Sequence, residues 1–170
     1  MSNKFQNFRN VTFAIVCFLS LIPVYGQLNI EERNEIRTEI ASALENYHHI
    51  FSTGTPSEIA NNIYGSPLVS VSINGDTTVW STNAEVEAMV SSLLTDIRAQ
   101  GWFRSSMPSP NICVLGPNSG FASGQFIRYQ EDGSELSRSG MAYVFQRKSE
   151  GWKMTTFLAH ESNVKIECME

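Results

Sequence analysis

Residues 51–67 read FSTGTPSEIANNIYGSP, and this stretch contains the connection between two predicted helices. Gly54 follows two small polar residues and predicts the end of the first helix. Thr55 and Glu58 have the spacing of a capping box with Pro56 at the first helical position, so a second helix is predicted to begin there. The apolar residues of this short helix are Ile59, Ala60 and Ile63.

Two longer amphipathic helices are predicted, one before this connection and one later in the chain. Residues 31–51 carry apolar side chains at helical spacing. Thr82 and Glu85 repeat the capping-box pattern, and the helical spacing that follows them stops at Gly101. Helices with one apolar face must bury it against another element, so a sheet or further helices are needed to cover them.

The rest of the chain has the alternation and the turn signals of strands. Residues 68–73 alternate apolar residues with serine, and Asn74-Gly75 predicts a hairpin turn into residues 77–80. Later strands are predicted at residues 112–115, 121–130, 135–148 and 152–162. The predicted order ααββαββββ indicates an α+β fold in which a curved antiparallel or mixed sheet wraps around the helices.

The chain resembles the NTF2-like cone fold through Phe51-x-x-Gly54-Thr55-Pro56-x-x-Ile59-Ala60-x-x-Tyr64-x-x-Pro67 in this element order. Gly151-Trp152-Lys153-Met154, at the start of the last strand, is similar to the start of that strand in the family, and Asp132-Gly133 is similar to its turn between two long strands. The resemblance implies three helices packed in a strongly curved sheet, with an apolar pocket between them. It points to the SnoaL-like and ketosteroid isomerase-like branch.

The first 26 residues have the pattern of a secretory signal peptide. Lys4 and Arg9 precede an apolar run at residues 11–22, and Val24-Tyr25-Gly26 has small residues at the cleavage positions. The run spans only ~18 Å as a helix, which is short of the ~30 Å hydrocarbon core of a bilayer. We therefore expect cleavage after Gly26, a secreted or periplasmic protein, and no stable membrane anchor afterwards.

The predicted mature chain, residues 27–170, has the size of one domain, with its core at about 31–162 and a tail at 163–170. The full sequence has 170 residues and a net charge of −5 without a basic block, which argues against nucleic-acid binding. Cys113 and Cys168 remain after cleavage in an oxidising compartment. They form either one disulfide or two free thiols, and the sequence leaves both alternatives open.

Tyr47 is the first candidate catalytic residue. It stands seven residues before Gly54, which matches the spacing of the tyrosine that the resembled isomerases use to stabilise an enolate oxygen. The carboxylate base of those enzymes lies on the first strand, but residues 59–75 contain no Asp or Glu. Residues 97–130 contain none either, so the second carboxylic acid is also missing. The isomerase mechanism is therefore not supported residue by residue.

Histidines are the remaining acid–base candidates. His48 adjoins Tyr47 on the predicted first helix. On the last strand, His160 has the same parity as Trp152 and Met154, so if those two point inward, His160 is predicted to do so too, near the mouth of the pocket. One histidine together with Tyr47 would be a minimal acid–base pair, and the alternative is that the histidines are surface or packing residues. No metal-ligand spacing occurs, and no metal or cofactor is expected.

The ligand-contacting candidates are Trp80, Trp102, Phe126, Arg128 and Tyr143. Arg128 has the same parity as Phe126 within residues 121–130, and an arginine on the concave face would hold a carboxylate through two hydrogen bonds. The opposite phase of this strand would turn Arg128 towards solvent. The sequence pattern leaves both phases open.

These features predict a secreted domain that binds a small, largely apolar molecule in its cone, with or without catalytic activity. A SnoaL-like isomerase, cyclase or dehydratase that uses Tyr47 and a histidine is the enzymatic alternative. A dimeric protein-interaction module is the third possibility, because both phases of residues 121–130 contain apolar side chains. A homodimer through the open face of the curved sheet is expected.

Overall fold

The computed structural model describes residues 27–168, in which three helices and seven strands form. The helices are α1 Ile30–Thr53, α2 Pro56–Asn62 and α3 Asn83–Ala99. The strands are β1 Tyr64–Val71, β2 Thr77–Trp80, β3 Arg104–Ser106, β4 Asn111–Gly116, β5 Ser119–Tyr129, β6 Glu135–Lys148 and β7 Gly151–His160. The predicted signal peptide lies outside the described residues.

The predicted α+β class is confirmed, with one strand more than the sequence indicated. β3 has three residues and pairs antiparallel with β5. Three residues are too few to show the alternation by which strands are recognised, so the order is ααββαβββββ and not ααββαββββ. β1 also begins earlier than predicted, at Tyr64 and not at Leu68.

Each helix within the described residues begins with a capping box. The predicted boxes Thr55–Glu58 and Thr82–Glu85 are confirmed, since each threonine side chain accepts a hydrogen bond from the glutamate backbone N–H and each glutamate carboxylate accepts one from the threonine backbone N–H. α1 has a third box, at Asn29 and Glu32, which the sequence analysis did not identify. No helix within residues 27–168 is long and apolar enough to span a membrane.

The strands form one mixed sheet in the order β2-β1-β7-β6-β5-β3, with β4 also paired to β5. β1 runs parallel to β7, and the other described pairs are antiparallel. We call the face that packs against the helices the inner face and the opposite one the outer face. The inner face contributes buried residues to the core from several strands, among them Leu68, Ala122, Tyr143 and Met154.

α1 lies directly against the inner face of β5. A Cβ atom at Gly120 would come within 2.1 Å of Ile40 Cδ1, so only glycine allows this close approach. Tyr47 stands two helical turns beyond Ile40 on the same side of α1. The close docking of α1 therefore places Tyr47 over the inner face of the sheet.

Trp152 and Lys153, at the start of β7, form hydrogen bonds to α1 and α2. The indole N–H of Trp152 donates to Glu39 on α1 at 2.8 Å. The buried ammonium of Lys153 donates to the carbonyls of Asn61 and Asn62 at 2.7 and 3.0 Å. These are carbonyls at the C-terminal end of α2, where a positive charge is favourable. The motif thus sets the positions of α1 and α2 relative to the sheet.

The C-terminal tail, residues 161–168, returns across the outer face of β4 and β5. Cys113 and Cys168 form a disulfide with their Cα atoms 5.4 Å apart, which decides between the two predicted alternatives. Ser123 Oγ donates to the carbonyl of Ile166 at 3.3 Å, and Gln125 Nε2 donates to the carbonyl of Ser162 at 3.1 Å. The tail is therefore an integral layer on this part of the sheet.

Candidate ligand-binding site

An aromatic cluster lies between α1 and the inner face of the sheet. Tyr47 contributes to most of its contacts, with ring centroids 5.6 Å from Tyr143 on β6, 6.3 Å from Tyr64 on β1 and 5.5 Å from Phe51. All three pairs are edge-to-face, the arrangement that aromatic quadrupoles favour. The four rings are buried, so they form an apolar wall that carries phenol groups.

Burial raises the pKa of all three phenols in this cluster. For Tyr47 the loss of solvation has the largest influence on the pKa, and the charge of Arg128 acts in the opposite direction. For Tyr64 and Tyr143 burial and the neighbouring Tyr47 both act upwards, and the pKa lies well above its usual value of 10.0. The phenols are therefore neutral hydrogen-bond donors at physiological pH.

His48 lies at the edge of this cluster and faces β5. Its ring centroid is 4.8 Å from that of Tyr47, and the imidazole stacks on Phe126 at 5.9 Å. Neither ring nitrogen has a hydrogen-bond partner among residues 27–168. Burial lowers the pKa of His48 to about 4, so the imidazole is neutral at physiological pH.

Strand β5 turns Phe126 and Arg128 towards the helices, which decides between the two phases of this strand. Ala122 and Phe126 are buried in the core, and the guanidinium carbon of Arg128 lies 5.7 Å from the Phe126 ring centroid. The Nε atom of Arg128 is buried without a hydrogen-bond partner in the described part of the chain. His48 and Arg128 thus contact the same aromatic ring.

Unpartnered polar atoms are concentrated in this site. Among residues 27–168, five side-chain nitrogen or oxygen atoms are buried without a hydrogen bond. Four of them belong to the cluster, namely both ring nitrogens of His48, Nε of Arg128 and the hydroxyl of Tyr143. The structure therefore brings together five of the predicted site residues: Tyr47, His48, Phe126, Arg128 and Tyr143.

The predicted inward position of His160 is wrong, because β7 contains a bulge. The register between β6 and β7 shifts so that Thr155 is the extra residue. Trp152 and Met154 lie on the inner face before the bulge, and beyond it the inner face continues with Phe157. A bulge reverses the parity of every later residue, so His160 moves to the outer face.

His160 is consequently separated from Tyr47 by the sheet. It pairs with Gly140 of β6, and its Nδ1 atom lies 2.8 Å from the carbonyl oxygen of Glu161. The ring covers Gly140 so closely that a Cβ atom there would come within 2.2 Å of it. His160 therefore packs over the outer face and does not form a pair with Tyr47.

The two predicted tryptophans flank the cluster on opposite sides. Trp80 is half-buried at the β2 edge and stacks on Phe157 at 6.1 Å. Trp102 is buried beside Phe51 at 5.8 Å, and its indole N–H donates to Ser105 Oγ at 2.9 Å. Both tryptophans pack in the wall of the cone, and the indole N–H of Trp102 is already engaged.

Tyr64 is a member of the cluster that the site prediction missed. It opens β1 and is buried against Tyr47, so its phenol shares the same environment. The sequence pattern predicts that it lies in the connection before the first strand, where no inner or outer face is defined. An earlier start of β1 would have placed Tyr64 in the same alternation as Leu68 and Ser70.

The arrangement supplies hydrogen-bond donors but no carboxylate. Ser70 lies on the inner face of β1, in the stretch where the resembled isomerases carry their base. No Asp or Glu is buried within residues 27–168. Within the same residues, no group of three or more His, Cys, Asp or Glu side chains has a geometry that suits a metal ion. The site can therefore bind and orient polar groups of a ligand, whereas the neutral His48 is a weak base.

Comparison with protein families gives a match over most of the chain. Residues 37–162 match the model of a family described as NTF2-like protein (DUF6841). No curated protein sequence matches the chain significantly.

Solved structures share the fold at low sequence identity. An NTF2-like protein with a cystatin-like fold from Novosphingobium aromaticivorans has a TM-score of 0.60 and 15% identity, over 78% of this chain and 85% of that one. A protein from Catenulispora acidiphila, solved in complex with S-DNPA, has a TM-score of 0.58 and 13% identity, over 77% and 96%. The association domain of C. elegans CaMKII has a TM-score of 0.56 and 11% identity, over 76% of this chain and 98% of that one.

Proposed function

We propose that this chain, which belongs to the NTF2-like protein family (DUF6841), binds a small and largely apolar molecule between α1 and the inner face of its sheet. The observation that carries the proposal is the set of four buried, unpartnered polar atoms on His48, Arg128 and Tyr143. Folded proteins contain few such atoms, because each costs about 1–3 kcal/mol. A ligand with matching polar groups would remove this cost.

The surroundings of these atoms favour an apolar ligand body. Aromatic rings from α1, β1, β5 and β6 surround the polar atoms, which are few, as in small-molecule sites generally. A protein of the same fold from Catenulispora acidiphila was solved in complex with S-DNPA, which is consistent with a binding role for the cone in this chain.

Native mass spectrometry of the protein purified from its own host tests this function. We expect a mass excess over the mature chain that disappears under denaturing conditions, and a smaller occupancy in Tyr143→Phe. The matched control is Tyr129→Phe, since Tyr129 stacks with Arg104 away from the cluster. A protein that carries no small molecule and binds none from an extract of its host would contradict the proposal.

Export of the mature chain is part of the proposal. It is supported by the signal-peptide pattern of residues 1–26 and by the Cys113–Cys168 disulfide, because such bonds persist in oxidising compartments. N-terminal sequencing of exported protein should begin at Gln27, or give a blocked terminus if Gln27 has cyclised. Exported protein that retains Met1 would contradict cleavage after Gly26.

Carboxylate-based isomerisation is not part of the proposal. Such chemistry needs a buried Asp or Glu, and the described residues contain none. We expect no measurable steroid-type double-bond isomerisation. If a reaction is found, it should depend on Tyr47 and His48, and Tyr47→Phe should then lower the rate by ~10²–10³. Turnover that survives replacement of both residues would place the chemistry elsewhere.

We also propose a homodimer through the outer face of the sheet beyond the tail. Strand register places Val69, Val71 and Leu158 on this face, and Val79 beside them is 54% exposed. Sedimentation should show a dimer at tens of micromolar that Val79→Asp dissociates. The matched control is Ile73→Asp, an exposed apolar residue in the β1–β2 connection. A wild-type monomer under these conditions would contradict this proposal.

A further inference from the structure

We infer that the ligand in the cone is a monoanionic carboxylic acid with an apolar body, and that Arg128 binds its carboxylate. The inference rests on the proposed function, because it names the class of ligand for the same site. It has a separate basis in the charges of the molecule, since the proposed function requires polar groups but not an anion.

Arg128 provides a positive charge inside the cone. It lies on the inner face of β5 with its guanidinium 5.7 Å from the centre of the Phe126 ring and with Nε buried. Its charge acts on the phenols of Tyr47 and Tyr143, so the guanidinium is within electrostatic reach of both. An anion beside the guanidinium would lie near the Phe126 ring, on which His48 also stacks.

Within residues 27–168, no acidic side chain neutralises this charge. Arg138 pairs with Glu135 at 2.6 Å, and Arg147 pairs with Glu39, whereas Arg128 has no ion pair within residues 27–168. No carboxylate among these residues is buried. A cation that is partly removed from water without a counter-charge is costly, so an anionic ligand would be strongly favoured here.

The donors present suit one carboxylate better than a phosphate. The planar guanidinium matches the two oxygens of a carboxylate, and the neutral His48 and Tyr143 add hydrogen bonds without adding charge. A phosphate dianion would need a second cation. The buried Lys153 cannot serve as that cation, because its ammonium is bonded to the carbonyls of Asn61 and Asn62 at the end of α2.

Calorimetric titration with naphthylacetate and with its uncharged amide tests the inference on the mature, disulfide-bonded protein. We expect the acid to bind roughly 10- to 100-fold more tightly than the amide, the effect of hydrogen bonds to a charged group. Arg128→Gln should reduce this ratio to about one, and Arg128→Lys should keep part of it. Arg104→Gln, an exposed arginine on the adjacent β3, is the matched control and should leave the ratio unchanged.

The possible outcomes separate this inference from the proposed function. If the amide binds as tightly as the acid and Arg128→Gln changes neither affinity, the cone binds apolar molecules but the carboxylate assignment is wrong. If neither probe binds, the carboxylate assignment fails, whereas an apolar molecule that copurifies with the protein would still support the proposed function. Circular dichroism of each variant confirms that the fold is retained, and a preference for the acid that is lost only in the Arg128 variants supports the inference.

Discussion

On the outer face of β5, Ser123 and Gln125 donate hydrogen bonds to backbone carbonyls of the C-terminal tail. On the inner face of the same strand, Nε of Arg128 is buried with no partner within residues 27–168. Successive residues of a strand alternate between its two faces. On β5 the polar side chains of the outer face are hydrogen-bonded, whereas Nε of Arg128 on the inner face is not. The outer side of β5 therefore stabilises the fold, whereas the inner side carries open hydrogen-bonding groups, and it is there that we propose a ligand binds.

Two buried polar groups elsewhere are satisfied in the same way, although Nε2 of His160 on the outer face is not. The indole N–H of Trp102 donates to Ser105, and the ammonium of Lys153 binds two carbonyls of α2. The unpartnered atoms of the cone are therefore a local property of the site and not a general feature of this core.

Loss of the disulfide should have the largest effect on stability. The bond between Cys113 and Cys168 spans 55 residues, and closing a loop of that length stabilises the folded state by about 4 kcal/mol in the chain-entropy treatment. Urea unfolding of the double variant Cys113→Ser/Cys168→Ser should show a loss of this order. A thiol reductant should lower the stability of the wild type to the same level and leave the double variant unchanged. Equal stability of the two proteins would contradict a structural role for the outer layer.

Low pH should destabilise the protein, because His48, which is buried at the edge of the aromatic cluster, would become protonated. Its pKa is lowered to about 4 in the folded state from about 6.5 in the unfolded state, so the unfolded chain takes up the proton first. The contribution of His48 to the free energy of unfolding is fully present above pH ~6.5. It decreases by up to about 3 kcal/mol as the pH falls towards ~4.

Unfolding free energies measured at a series of pH values test this dependence. His48→Phe should remove the decrease between pH ~6.5 and ~4, because the ring at this position then no longer titrates. His49→Gln, which changes the exposed neighbouring histidine, should retain it. An identical pH profile in His48→Phe and in the wild type would show that His48 is not buried as a neutral ring.

A pair of hydroxyl deletions tests the two faces directly. Ser123→Ala removes a bonded hydroxyl on the outer face and should cost about 1 kcal/mol of unfolding free energy. Tyr143→Phe removes an unpartnered one and should leave the ligand-free protein as stable as the wild type or up to ~1 kcal/mol more stable. Thermal and urea unfolding of ligand-free protein provide the measurement. A loss in Tyr143→Phe as large as in Ser123→Ala would remove the contrast between the faces.

The smallest effect is expected for Tyr47→Phe in the absence of ligand. The ring keeps its edge-to-face contacts with Tyr143 and Phe51, so the unfolding free energy should change by less than ~0.5 kcal/mol. With ligand bound, the same variant should bind less tightly only if the hydroxyl contacts the ligand. A large destabilisation of the free protein would mean that the Tyr47 hydroxyl has a structural role.

The helices and most of the strands could be predicted from the sequence, because their signals are local. The two capping boxes predicted at Thr55 and Thr82 fix helix starts through side chains three residues apart, and long strands such as 135–148 show their alternation directly. Tyr47 and His48 are consecutive residues of the predicted first helix, so their proximity is also a local feature. The NTF2-like resemblance rested on this order of elements.

Tertiary structure alone decided which side chains meet. The bulge at Thr155 reversed the parity of β7 and moved His160 to the outer face, and a bulge carries no signal in the alternation before it. Arg128 faces inward because β5 packs its Ala122 and Phe126 side against α1, whereas the sequence fits either phase. Pairing of Cys113 with Cys168 likewise depends on the path of the tail. These outcomes depend on contacts between residues far apart in the chain, and sequence periodicity reports only on near neighbours.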